Sequence, residues 1–507
     1  MMSAGASPVR EPVNPVAQPQ LSAAFAAIAA LGISALLLIP CFWLEHLEAG
    51  DLSSHLYNAW LAGQIESGAA PGLAVTATWT NTLADFALKA LPGAIGWAAT
   101  DKVVAGVAVL IFFWGAFSLI RAASGRRPWL LAPILAMLSY GLIFHLGFLN
   151  YYLATGLAMW AMVLLWRRPT AARAVTAGVL LALALLAHAM PVAWAVSVLG
   201  YRYLARRLKG TALVVLPVAA FAALSLLAAA LSLFPHRWSP DGLLTVAGIA
   251  GLTGVEQVWL FGPRYLLVAA ALLVILFLLL LDRIDQGGFR SDPVAQLWAL
   301  HVAAFALLPS AILFPQYSHL LAYIPQRISL LGAICFCMMV GGATRGRGLT
   351  RLVALPAALF FVFLYIDDRA FNALENEITR LVRQLPPGQK VVAAITDSDT
   401  RLNAPLHMID RACIGHCFSY GDYEPATGQF RIRIAGPNPV AAPTMKVVQD
   451  IENGEHIVTP QEAPLYSVCL NDKTGEGRFM LRALQAGDRT CGFSLPVSPR
   501  MSTKLIP

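Results

Sequence analysis

Charge is what this chain has least of. Only 13% of its 507 residues are Asp, Glu, Lys or Arg, where a soluble protein carries about a quarter. The deficit falls on the first 370 residues, which excludes a soluble globular enzyme as the whole molecule. Ionisable residues are also nearly absent from the middle of the apolar runs, and no internal repeat is evident. A transporter or flippase would favour charged residues at mid-bilayer and a repeated half, so that class fits less well. Cysteine is sparse, at seven. Cys41, Cys335 and Cys337 lie in apolar runs, where the thiol behaves as a small apolar group. The formal charge of +8 is dispersed in short clusters between runs, so it does not mark a nucleic-acid binder.

Long apolar runs are what the chain has instead, and they predict a multi-span, all-α membrane domain over residues 21–370. Met1–Gln20 is polar and Pro-rich and reads as a disordered cytoplasmic N-terminus. Leu21–Trp43 exceeds the roughly 7–15 residues of a signal-peptide core and reads as an uncleaved first span. Ten more follow: Lys102–Ile120, Trp129–His145, Tyr151–Trp166, Ala174–Ala187, Met190–Leu204, Thr211–Phe234, Pro263–Leu281, Val294–Phe314, Ile328–Ala343 and Leu352–Ile366. Several are short for crossing a bilayer alone and need shielding by neighbours. With the N-terminus inside, the inner loops hold 16 Lys and Arg residues and the outer loops 5. The positive-inside rule therefore fixes the orientation. An odd span count puts the C-terminus outside, in a bacterial periplasm or its equivalent, with the spans in the inner membrane.

Residues 371–507 are richer in charge, Pro and Gly and read as a soluble α+β domain large enough for its own core. Ala373–Gln384 predicts a helix, and Lys390–Thr396, Gln429–Ile434 and Tyr466–Leu470 predict strands. Cys413, Cys417, Cys469 and Cys491 all lie here. In an oxidising compartment they form two disulfides, with three pairings open. Free thiols, or a metal held with His407 and His416, are the alternatives. Asp397-Ser-Asp399 and Tyr420-Gly-Asp422-Tyr423 are either binding loops or plain turns.

Chemistry concentrates after the first span. Glu45, Glu48 and Asp51, with His46 and His55, stand at a membrane edge, where charge is costly and marks function. They open a loop, 44–101, that is far longer than the others on that side and therefore functional in character. Leu52–Ile65 predicts a helix capped by Asp51 or Ser53. Four residues apart, Asp51 and His55 would share its face. Trp60, Trp79 and Trp97 suit a loop lying on lipid headgroups. Other outer edges carry His145, Asn150 and Tyr151 in one turn, His188 in another, then His236, Arg264, Tyr317, His319 and Arg327. An Arg opening an apolar span either snorkels to headgroups or offers its forked donors to a phosphate. The second reading is favoured for Arg264 and Arg327.

This layout resembles the GT-C glycosyltransferases, membrane enzymes that use polyprenyl-phosphate-linked sugars. The likeness lies in Glu48…Gly50-Asp51-x3-His55-x-Tyr57-x-Ala59-Trp60, Gly68-Ala-Ala-Pro71, the His145…Asn150-Tyr151 turn, the His188-x-x-Pro191 corner and the soluble outer tail. It covers residues 20–370. It implies sugar transfer to a lipid, glycan or protein acceptor on the outer face. Asp51 matches the acidic position that deprotonates the acceptor, with Glu48 and His55 beside it. Arg264, Arg327 and His319 would bind the donor phosphate. Tyr57, Trp60, His145, Asn150, His188 and Tyr317 would line the substrate. The resemblance allows a divalent ion, Mg or Mn, but the loop lacks an Asp-Asp or Asp-Glu pair. The alternative functions are a transporter or flippase and a non-catalytic envelope assembly protein.

Overall fold

The computed structural model describes residues 23–239, 243–316, 320–342, 347–395, 401–471 and 478–491. The expected disordered N-terminus, Met1–Gln20, lies outside them, as do Tyr317, His319 and Asp397–Asp399. The chain is mostly helical, with its longer strands towards the C-terminus. Three described helices, Trp97–Ser124, Thr211–Leu231 and Tyr265–Asp285, are long and apolar enough to cross a membrane. Six shorter apolar helices accompany them, Ala27–Phe42 and Leu149–Leu165 among these. Thr211–Leu231 exposes Val214, Val218 and Leu226, a face suited to lipid. Trp97–Ser124 and Leu149–Leu165 press together at Gly115 and Gly156. A Cβ on Gly156 would lie 2.9 Å from Ile111 Cγ2, so small residues set that approach.

Two expected spans differ. Trp129–His145 is broken at Tyr140 and Gly141 into the pieces Ala132–Ser139 and Leu142–His145. The last expected span does not end at Ile366. It continues as one helix, Arg347–Val382, about 54 Å long at 1.5 Å per residue. No Gly or Pro interrupts residues 357–385. Phe371, Leu374, Ile378 and Val382 follow at helical spacing and are buried. Ala373–Gln384 is thus the continuation of this helix, and the expected boundary at 370 falls inside it.

Beyond that helix a four-stranded sheet runs in the order Phe418–Ser419, Lys390–Ala393, Leu465–Leu470, Phe479–Leu484. The first two junctions are parallel and the third is antiparallel. Ile432–Ile434 leaves this sheet and pairs antiparallel with Leu73–Val75 of the 44–101 loop, Leu73 opposite Ile434. A strand expected in the tail therefore stitches the tail to the loop. The disulfides are Cys413–Cys417 and Cys469–Cys491, which decides the pairing and removes the thiolates that a metal would need.

The helix ends sort into two sets. Asp51 N donates to Leu146 O at 3.2 Å and Thr82 N to Leu186 O at 3.1 Å. The loop 44–101, residues 145–150, 186–188 and the tail thus share one end. At the other, Arg126 donates to Gly342 O at 3.3 Å and Arg202 lies 4.1 Å over Trp166.

Candidate functional site

The helix expected from Leu52 is present as Leu52–Glu66, and its burial differs from expectation. Ten of its residues are buried, because the C-terminal domain covers the side that would have faced headgroups. Tyr57 OH accepts from Ser419 N at 3.0 Å, and Trp60 packs, with its ring tilted, against Tyr57 and Phe418 at 5.4 and 5.7 Å between centroids. Ser54 and Asn58 both donate to Asp422 at 3.1 Å. Tyr57 and Trp60 are therefore interface residues, and Asp422 is part of that interface.

Two glycines set the entry to this helix. Gly50 and Gly147 have φ of 37° and 79°. A Cβ on Gly147 would lie 2.4 Å from both Ala49 O and Asp51 N. Backbone contact this close, possible only without a Cβ, holds Asp51 against the 145–150 turn.

Asp51 and His55 do not act together. The His55 imidazole turns to Asp85, with Nδ1 3.0 Å from Oδ1. Asn150 donates to Asp85 Oδ2 at 3.2 Å and accepts from Ala84 N at 2.8 Å. Arg431 Nε stands 3.8 Å from the same carboxylate. Burial alone would depress the His55 pKa, but the Asp85 charge and contact carry it up to about 9. His55 and Asn150 thus belong to a buried ion cluster binding loop to tail.

Glu48 is also withdrawn. It is buried and accepts from Asn372 at 3.0 Å. Burial first, then the Glu375 charge, pushes its carboxyl well above the ordinary range, and Arg411 only partly offsets them. Burial and the contact with Asn372 withdraw this carboxyl from solvent and from an incoming hydroxyl. Arg411 reaches in from the tail to Leu47 O at 2.7 Å and Ser53 Oγ at 2.6 Å, with Glu375 Oε2 at 3.4 Å.

Arg264 is engaged by Asp367, which also accepts from Tyr265 OH at 2.8 Å. The expected phosphate ligand is already paired, close to Trp43 and Asp368. His145 Nδ1 donates to Glu48 O, 2.9 Å away, and its Nε2 has no partner among the described residues. His188 accepts from Met190 N at 3.2 Å, capping a helix, and its ring meets Tyr151 edge-on.

What remains is a pair. Asp51 keeps a side chain 30% exposed. Arg327 is buried, and among the described residues its Nε and Nη1 have no partner. Its guanidinium lies 4.5 Å over Phe148 and 5.6 Å from Tyr151. Both charges act on Tyr323: burial first and the Asp51 charge next push that phenol up, while Arg327 opposes. Tyr323 itself holds φ 59°, a left-handed conformation that costs a non-glycine residue about 1–2 kcal/mol. Strain of this kind collects at functional sites.

No protein-family model matches the chain, and neither do any curated protein or solved structure.

Sequence reasoning missed the tail's contribution to this pair. His407 Nε2 stands 3.4 Å from Asp51 Oδ1, and its Nδ1 stands 2.9 Å from Asp410 Oδ2. Ser419 Oγ donates to Asp410 Oδ1. Tyr423 covers the His407 ring at 5.4 Å. One signal was present: Asp410-Arg411 interrupts the apolar run Met408-Ile409…Ala412-Cys413, and charge inside a short apolar helix tends to be buried and paired. Among the described residues no group of three or more His, Cys, Asp or Glu could hold a metal ion.

Proposed function

We propose that this protein is a membrane glycosyltransferase that moves a sugar from a polyprenyl-phosphate donor to a lipid, glycan or protein acceptor, with Asp51 as base and Arg327 as phosphate ligand. The observation that carries the reading is Arg327. A buried guanidinium with two unpartnered N–H groups is costly. A phosphate seated there would satisfy them with forked, charge-assisted hydrogen bonds. Asp51, within electrostatic reach of Arg327 and open to solvent, is where an acceptor hydroxyl would lose its proton.

The reaction balances on these groups. The acceptor oxygen forms a bond to the anomeric carbon as the carbon–oxygen bond to phosphate breaks. The electron pair leaves with the phosphate towards Arg327, and the hydroxyl proton goes to Asp51. Short, gapped helices beside Arg327 would accommodate the prenyl chain. The eleven-span topology, with this end outside the cytoplasm, belongs to the same proposal, as do the expected partners. A divalent ion would add charge neutralisation, and this reading does not require one.

Purified full-length protein, incubated with a panel of labelled polyprenyl-phosphate sugars, should consume at least one. Asp51→Asn should lower consumption roughly 100-fold or more while leaving the melting temperature near that of the parent. Activity within a few-fold of the parent would remove Asp51 as base. Arg327→Ala should weaken donor use rather than acceptor use, and a purely acceptor-side defect would contradict its role.

A further inference from the structure

The C-terminal domain contributes directly to the site just described. We infer that His407 is a positioning residue: donating from Nε2, it fixes which oxygen of Asp51 faces the acceptor, with Asp410 and Ser419 steering its ring. The inference rests on reading Asp51 as the base, and it gives the tail a part in the reaction.

The geometry forms a directed chain. Ser419 Oγ donates to one oxygen of Asp410, whose other oxygen takes His407 Nδ1 at 2.9 Å. The far nitrogen stands 3.4 Å from Asp51 Oδ1, which leaves the second Asp51 oxygen for a hydroxyl. Every link except Asp51 is buried, so the ring has little freedom to turn. The groups facing His407 are Asp51 at the start of Leu52–Glu66, Asp410 beside it, Asp422 and Tyr423 across the ring, and Glu452 from the helix Met445–Glu452. Burial by itself would strip the imidazolium of its proton. Asp410 and Asp51 outweigh it and hold the His407 proton well above the ordinary histidine range. The two carboxylates thus favour the doubly protonated ring, which donates from both nitrogens, as the chain requires.

The test uses the full-length protein and whichever polyprenyl-phosphate sugar the parent consumes. His407→Ala should lower kcat roughly 10- to 100-fold, the cost of a misplaced catalytic group, with the donor KM within about two-fold of the parent. His407→Gln, which still presents an N–H to Asp51, should recover part of that loss. Asp410→Asn removes a charge that retains the imidazolium proton, so the alkaline limb of kcat should move about one pH unit lower. Parent-like kcat in His407→Ala, or an unmoved limb in Asp410→Asn, would overturn the inference. A purely structural role would lower the melting temperature in all three variants without moving the limb, and that too would overturn it.

Histidine-selective NMR gives a second readout independent of turnover, with His407→Gln assigning the signal. His407 should stay doubly protonated through pH 8 in the parent and lose its proton at lower pH in Asp51→Asn. An identical titration in both would remove the contact with Asp51. If this titration behaves as expected but no sugar donor is consumed, the glycosyltransferase reading falls and the positioning contact stands.

Discussion

At the scale of single residues, the chain separates carboxylates by what surrounds them. Glu48 and Asp51 lie three positions apart, yet one is sealed against Asn372 and Glu375 while the other meets solvent and His407. Neighbours in sequence gave no hint of this, because the groups that decide it come from residues 372–410. His55 illustrates the same point, and it carries a pH prediction. Its pKa is raised to about 9 by Asp85 against the cost of burial, from about 6.5 in an unfolded chain. The stability from its charge is thus fully present below about pH 6.5 and is lost as pH rises through 9. Asp85 is lowered, with burial opposing and the His55 charge prevailing, so its share persists above about pH 4 and fades on acidification. The melting temperature of the parent should therefore fall between pH 7 and 9.5. His55→Gln should show a lower melting temperature at pH 6.5 and a shallower fall over that range. His407, also raised, keeps some slope in the variant. Equal slopes in parent and variant would mean that His55 is neutral in the fold.

At the scale of elements, local pattern carried far but stopped where contacts became remote. The start of the helix at Leu52 was legible from its apolar stripe, but the expected cap does not form. The Asp51 side chain makes no capping hydrogen bond, and Ser53 Oγ accepts from Arg411. The helix ends at Glu66, one residue beyond expectation. Its burial on nearly every side was not legible, since the covering layer lies more than 350 residues away. The break at Tyr140-Gly141 had a glycine to announce it. The continuation past Ile366 had an equally plain signal in the missing Gly and Pro, which the rise in charge after Asp367 obscured. Gly147 tests whether the clasp on Asp51 matters beyond stability. Gly147→Ala should cost about 1–2 kcal/mol from left-handed backbone alone, and more from overlap with Ala49 O and Asp51 N. Gly125→Ala is the control: its φ is 74°, but nothing lies within 4 Å of the added Cβ. Both variants should melt lower than the parent, and only Gly147→Ala should also lose kcat. Equal turnover in the two would show that the 145–150 turn does not position Asp51.

At the scale of the whole molecule, the two ends of the helical body differ in chemistry. One gathers Asp51, Arg327, the buried ion clusters and a tail with two disulfides. The other carries Arg121, Arg126 and Arg127, then Arg167 and Arg168, then Arg202, Arg206 and Arg207. Disulfides persist on the oxidising side of a membrane, and Arg-rich turns remain on the cytoplasmic side. Both rules favour the proposed orientation, with the Asp51 end outside the cytoplasm. Thiol labelling can check that orientation because the native background is low: Cys41, Cys335 and Cys337 are buried and the other four cysteines are paired. Ser67, exposed on the 44–101 loop, and Ala172, exposed beyond the Arg167-Arg168 turn, mark the two ends. In spheroplasts, Ser67→Cys should react with a membrane-impermeant maleimide, and Ala172→Cys should react only after lysis. The reverse pattern would place Asp51 in the cytoplasm. A donor delivered to the other face could not then reach it, and the Arg-rich turns would lie outside against the charge rule, so the sugar-transfer reading would fail together with the topology.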